Sequence, residues 1–319
     1  MVLSKKWRLS WTYVPNLDFD YWRCRCPSWI YNEPEFFHAW ATFKFVAWVN
    51  QVVTPHCALR IKRFRVRFYL DETFWSDIDK RVDFCLRKEV QELELNCSDE
   101  DGNCHGEYYT FGSMWLAHLP QNTHMIRTFT KLRSFHVESL KISGALLEVM
   151  LSKCRLLEEL CLKWCAGVGS LKIGCSFLKL RYLKIDSFEL EILEVSAANL
   201  DTFICHEKNM VLVCNNFPSV VQGRFSGVRV QKLIQQFFPW SSQLGKLTLN
   251  PIAAGFNPSS ILSFAKLKQL IMCITVDYDE SLLAWMYLID ACSLLRKFKF
   301  VVSISCFRLL TVLWYFYVL

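Results

Sequence analysis

The sequence predicts an α/β solenoid in which short parallel strands line the concave face and helices and loops cover the convex one. Three observations predict it. The first is the cassette at 154–167, where Leu157, Leu160 and Leu162 are followed by Cys165. Leu160 and Leu162 are two apart, as a strand with one buried face requires. The second is recurrence of the Leu-x-x-Leu-x-Leu form around Leu183, Phe203, Leu247, Leu270 and Phe298, with a degenerate copy at 221–225 centred on Phe225. The third is spacing. The central residues 160, 183, 203, 225, 247, 270 and 298 are separated by 23, 20, 22, 22, 23 and 28 residues, inside the window of about 20–29 residues that marks leucine-rich repeats. Such a unit cannot bury its own leucines; its neighbours close the core.

Composition agrees with a large packed body. The 319 residues are 52% hydrophobic and 21% charged, too apolar for disorder. Only 11 Gly and 9 Pro are present, so no flexible linker is expected. The net charge of +7 has a location: residues 1–70 hold 11 Lys and Arg against 4 Asp and Glu, and the remainder holds 26 of each. The N-terminal excess implies either attraction to an acidic partner or a solvated positive face. The 15 cysteines contain no Cys-x-x-Cys pair, and no secretory signal opens the chain. Reduced thiols filling core positions, in the nucleus or cytoplasm, are therefore expected, with no metal and no cofactor.

Leu3, Trp7 and Trp11 lie at i, i+4 and i+8 on a short predicted helix, which Pro15 stops. Residues 21–34 read as a loop. A helix follows over 36–53, with Phe36, Phe37, Trp40, Phe43 and Ala47 as its expected core stripe, continued by Trp48, Val49 and Val52. The strand at 61–70 turns Phe64, Val66, Phe68 and Leu70 one way and Arg63, Arg65 and Arg67 the other. Three arginines on one strand face suit phosphate, or a wet basic face; no nucleic-acid reading motif accompanies them. Asp71 and Glu72 begin a helix with the stripe Phe74, Ile78, Val82, Cys85 and Leu86. Leu93, Leu95 and Asn96 make the first repeat strand, with Asn96 placed to tie down the following loop backbone. The polar run 97–106 fits neither an EF-hand, since Gly102 comes too early, nor a zinc site, since Cys97, Cys104 and His105 lack a fourth ligand. Further repeats include Phe135 and Val137, with helices at 144–151, 230–238 and 281–292. The apolar run 309–319 is too short to span a bilayer, which takes about 20 residues. It suits a capping strand, a membrane-surface anchor or an abnormal end, with truncation favoured and aggregation expected.

Leu3-Ser4-Lys5-Lys6-Trp7-Arg8, then Trp11, then Val14-Pro15-Asn16-Leu17-Asp18-Phe19-Asp20 resembles the close of a plant F-box domain, and the cassettes at 154–185 resemble the repeats that follow it in the F-box/leucine-rich-repeat family of FBD type. The resemblance implies a substrate receptor of an SCF-type cullin–RING ubiquitin ligase, with Leu3, Trp7 and Trp11 as the remnant that touches a Skp-type adaptor. The family carries further F-box helices upstream of this point, so a truncated F-box is expected. The alternative is a repeat scaffold or decoy that binds a partner without ligase assembly. The expected organisation is an F-box remnant at 1–20, linker helices and a first strand at 21–89, repeats at 90–302 and the tail at 303–319. By position in the repeat, Glu159, Cys161, Lys163, Tyr182, Lys184, Thr202, Ile204, Lys246 and Thr248 form the concave partner-binding face. No P-loop, Gly-x-Ser-x-Gly or His-Glu-x-x-His motif is present, so no enzyme is expected. A membrane span is not expected, and a nucleic-acid partner is disfavoured.

Overall fold

A computed structural model of the chain describes residues 10–21, 35–68, 70, 72–98, 108–112, 128–174, 179–187, 189–207, 210–227, 230–251, 264–276, 289, 292–304 and 311–317. Two compact units divide at Gly167 and Val168. Both are built from repeats of the predicted kind.

In the first unit five parallel strands lie in sequence order: β1 (Asn16–Asp20), β2 (Arg63–Arg67), β3 (Glu92–Asn96), β4 (Ser134–Glu138) and β5 (Glu159–Lys163). The register puts Leu17, Phe64, Leu93, Phe135 and Leu160 in one row and Phe19, Val66, Leu95, Val137 and Leu162 in the next, all buried. These two rows are the core side of the sheet, and they follow from a side-chain period of two held in register across parallel strands. The strand β1 was not expected. Asn16-Leu17-Asp18-Phe19-Asp20 has the required alternation, but it is short and follows a proline.

Helix α1 (Glu35–Val53) forms where expected, and Val49 of its expected stripe is buried, but the buried face is otherwise displaced from Trp40 and Phe43. Thr42, Phe45, Val46 and Val49 are buried, whereas Trp40 is 56% and Phe43 61% exposed. The helix is apolar nearly all round, so its own periodicity selects no face. The aromatic side chains beside it decide. Phe45 stacks 4.7 Å from Phe68, and Trp48 meets Phe19 edge-on at 5.2 Å. Helix α2 (Trp75–Arg87) buries Ile78, Val82, Cys85 and Leu86 as expected. It also buries Arg81, which is 2% exposed, with Nη2 3.5 Å from the Val46 carbonyl. Burial lowers the Arg81 pKa to about 10, with Asp77 acting in the opposite direction.

After β3, the Asn96 side chain ties its loop as predicted: Oδ1 accepts the Ser98 backbone N–H at 2.8 Å and the Ser98 hydroxyl at 2.6 Å. Helix α3 (Gly144–Lys153) is capped by Ser143, whose Oγ accepts the Leu146 N–H at 3.1 Å. Cys154 ends this helix, and Leu157 and Cys165 bracket β5; all three are buried.

The second unit holds six parallel strands, β7 (Tyr182–Asp186), β9 (Thr202–Glu207), β11 (Gln222–Gly227), β12 (Lys246–Pro251), β13 (Gln269–Val276) and β14 (Lys297–Ile304). β15 (Thr311–Tyr317) pairs antiparallel with β14, the geometry of a closing strand. The register corrects the degenerate repeat. Gly223, not Phe225, sits beside Phe203 and Leu247, so the intervals there are 20 and 24. Gly223 leaves the central core position empty, and the Phe225 ring turns back into it: a Cβ at Gly223 would lie 3.0 Å from Phe225 Cε2. Phe225 is 5.8 Å from Phe203 and 5.0 Å from Phe237 of helix α4 (Val230–Phe237).

Between the main strands lies a second parallel sheet that the sequence reading missed: β6 (Ser170–Ile173), β8 (Ile192–Ser196) and β10 (Val211–Asn215). Leu171, Leu193 and Leu212 form its buried row, while Ile192, Val211 and Val213 stay exposed. In these repeats the element after each main strand is another strand, not a helix. No helix among the described residues is long and apolar enough to cross a membrane.

Candidate recognition face

Each main strand turns alternate residues away from the core. On the first unit these outward residues are strongly charged, and they answer one another. Arg63 Nε donates to Glu92 at 2.6 Å. Arg65 reaches Glu94 at 2.9 Å and Asp18 and Asp20 at 3.5 Å each. Arg67 lies 3.8 Å from Asp20. Partial burial opposes the Arg65 charge, but Glu94, Asp18 and Asp20 outweigh it and raise the pKa. All three arginines thus face carboxylates of the same sheet, which argues for the wet structural face over a phosphate site. On β5, Lys163 donates to Glu138 at 2.6 Å and lies 3.7 Å from the Trp164 ring centre. Glu159 accepts from the Ser134 hydroxyl at 3.1 Å, with His136 3.4 Å away. A hollow of about 210 Å³ opens among Arg63, Glu92, Glu94, Arg133, His136 and Glu159.

On the second unit two outward rows form. Tyr182, Thr202, Gln222, Lys246, Gln269 and Lys297 make one, and Lys184, Ile204, Arg224, Thr248, Ile271 and Lys299 the other. Every one is half-buried or exposed. Of the nine residues expected on the face, Glu159, Cys161 and Lys163 stand on β5, and Tyr182, Lys184, Thr202, Ile204, Lys246 and Thr248 share the two rows of the second unit. Arg224 is outward with either Gly223 or Phe225 as the centre, because a shift of two residues preserves the face, and the degenerate form of its repeat kept it from being counted. Ile271 and Lys299 are legible in the sequence, since they hold the same place in the cassettes of Leu270 and Phe298. A third row adds His206, whose Nδ1 is 2.5 Å from the Ser226 hydroxyl.

The described cysteines are all free, and most are packed within the core. Burial pushes the thiols of Cys154 and Cys214 up to about 12 and that of Cys292 to about 11, and raises Cys85 and Cys165 well above the ordinary value. They are inert fillers at neutral pH. Among the described residues no group of three His, Cys, Asp or Glu could hold a metal ion. Cys104, His105 and the acidic run before them lie outside the described residues. So do Leu3 and Trp7; Trp11 sits on a 3-10 turn (Ser10–Tyr13), 40% exposed.

A register-locked parallel strand face of this kind defines a leucine-rich-repeat protein-interaction module. Residues 52–313 match the family model described as At1g61320/AtMIF1, LRR domain, and the chain belongs to that family. It is similar to the putative F-box/LRR-repeat protein At5g02930 of Arabidopsis thaliana, 26% identical over 192 residues, covering 58% of this chain and 36% of that protein. It is also similar to the probable FBD-associated F-box protein At1g32375 of the same plant, 26% identical over 265 residues, covering 72% of this chain and 59% of that protein. The chain therefore spans less than two thirds of either relative.

Proposed function

We propose that the chain is a non-catalytic substrate receptor of an SCF-type cullin–RING ubiquitin ligase, acting in the nucleus or cytoplasm. The two outward rows of the second unit carry this reading. Twelve side chains stand at fixed spacing on one sheet with no covering element among the described residues, which suits recognition of a protein surface and supplies no reacting group. The F-box names of the relatives support the ligase half. Trp11 would contribute to the Skp-type adaptor contact, together with Leu3 and Trp7. Co-expression of the chain with a Skp-type adaptor tests the assembly. The adaptor should co-purify, and Trp11→Ala should weaken its capture about tenfold, as loss of an aromatic anchor does.

A second reading, a scaffold that binds partners without an adaptor, is favoured by one observation. Asn16–Asp20, part of the F-box-like motif, is strand β1 of the repeat sheet and so belongs to the recognition half. Failure to capture any adaptor, with partner binding retained, selects it.

A further inference from the structure

The two units treat their outward cations differently. In the first, Arg63, Arg65, Arg67 and Lys163 each sit against a carboxylate. In the second, Lys184, Arg224, Lys246 and Lys297 share the open face with Lys299, and none of the first four forms an ion pair among the described residues. Asp186 is the single described carboxylate at the outward positions of these strands. Such a concentration of like charge carries a positive potential that, among the described outward residues of these strands, Asp186 alone offsets.

The spacing narrows what would cancel it. Strands lie about 4.8 Å apart. Lys184 and Arg224 stand two strands apart in one row, and Lys246 and Lys297 two strands apart in the other, so each pair is separated by about 10 Å. A polypeptide in the extended polyproline II conformation advances about 3.1 Å per residue with three residues per turn, so carboxylates three residues apart share one face and would meet each pair. Between the cations stand half-exposed Ile204 and Ile271, which would cover apolar side chains of the ligand. The neighbouring row offers Thr202, Gln222 and Gln269, side chains able to donate to backbone carbonyls and accept from backbone N–H groups. A nucleic acid fits less well: single-strand sites stack bases on aromatic platforms, and Tyr182 is the one aromatic in these rows.

We infer that the open strand face of the second unit takes an acidic, extended segment of a protein partner, laid across the strands with carboxylates three residues apart and apolar residues between. The inference deepens the recognition reading above and rests on it.

The test uses the full chain and a fluorescein-labelled twelve-residue peptide with Glu at every third position and Leu or Ser between, followed by anisotropy. The peptide should bind, and binding should weaken severalfold from 50 to 300 mM salt as screening shortens the reach of the charges. The combined variant K184Q/R224Q/K246Q/K297Q should lose about tenfold or more in affinity. K184R/K246R/K297R should retain it, and R60Q/R87Q, exposed cations of the first unit outside the strand rows, should stay within about twofold. Melting curves establish that each variant is folded. A Gln-for-Glu peptide that binds equally, a folded quadruple variant with unchanged affinity, or a fifteen-nucleotide oligo-dT that binds tighter and displaces the peptide would each overturn the inference. A protein partner captured by the intact chain, yet indifferent to the quadruple variant and to the peptide, sinks the acidic-segment inference while leaving recognition in place. Capture that also survives Ile204→Glu and Thr248→Glu removes the recognition reading itself.

Discussion

The Gly223 position offers a quantitative test of how the degenerate repeat is built. Every other central core residue of the second unit's main strands is Leu or Phe, and Gly223→Leu would restore the pattern. The space is already taken. A Cβ there meets Phe225 Cε2 at 3.0 Å, Leu244 Cδ1 at 3.5 Å and Leu247 Cδ1 at 3.6 Å, before the rest of a leucine side chain is added. Overpacking a closed core costs about 1–3 kcal/mol, and the 3.0 Å contact places this site at about 2–3 kcal/mol. Phe225→Leu alone withdraws the ring from Phe203 and Phe237 and should cost about 1–2 kcal/mol. The two changes are complementary, because the leucine at 223 enters the room the ring vacates. The double variant should therefore be more stable than the sum of the singles by about 2 kcal/mol. Thermal unfolding of all four proteins by circular dichroism is the assay; for a unit of this size about 2 kcal/mol moves the midpoint by about 4–8 °C. A Gly223→Leu variant that melts with the parent, or strict additivity in the cycle, would refute the register and the ring placement together.

Asn96→Ala should destabilise the first unit by about 2–4 kcal/mol, because it strands the buried Ser98 N–H and hydroxyl that Oδ1 now accepts; denaturant midpoints check it. His56 is buried, with Nε2 3.0 Å from the Val14 carbonyl, and burial followed by nearby Lys88 lowers its pKa below the ordinary 6.5. The unfolded chain then binds the proton first, so the His56 contribution to stability is intact above pH 6.5 and falls away as the pH drops below it. A His56→Gln variant should show a flatter stability profile between about pH 7 and 5, and an unchanged slope would contradict the assignment. In thiol labelling of the native chain at neutral pH, exposed Cys57 should react while Cys85, Cys154 and Cys165 wait for unfolding; mass spectrometry of the labelled sites decides it.

The repeat strands were legible because Leu-x-x-Leu-x-Leu encodes both a two-residue period and a place in the series, as Leu160, Leu183, Leu247 and Leu270 demonstrate. Where one of those two signals failed, the reading slipped. At 220–225 the central side chain is absent, and Phe225 stood in for it in the sequence as its ring does in the fold. The strands β6, β8 and β10 alternate correctly, as Leu171 and Ile173, Leu193 and Val195 show. They fall between main strands, where helices and loops were expected. Trp40 and Phe43 illustrate the third kind of miss: an all-round apolar helix gives no internal clue to its buried side, which neighbouring aromatics supply. Parity within the cassette puts Tyr182, Lys184, Thr202 and Ile204 at outward positions, and the register aligns them in two rows. That Lys184, Lys246 and Lys297 form no ion pair among the described residues concerns neighbours on other strands, and no local pattern contains it.

The central claim is that the open face of the main strands holds the protein partner. A side-by-side capture experiment tests it most directly, with a partner cross-linked to the intact chain and then challenged with two sets of substitutions. One set, Ile204→Glu and Thr248→Glu, alters the main face; the other, Ile192→Glu and Val211→Glu, alters the exposed side of the second sheet. The account predicts that the first set reduces capture about tenfold or more while the second leaves it near the parent level. Loss of capture with the second set and retention with the first would contradict it.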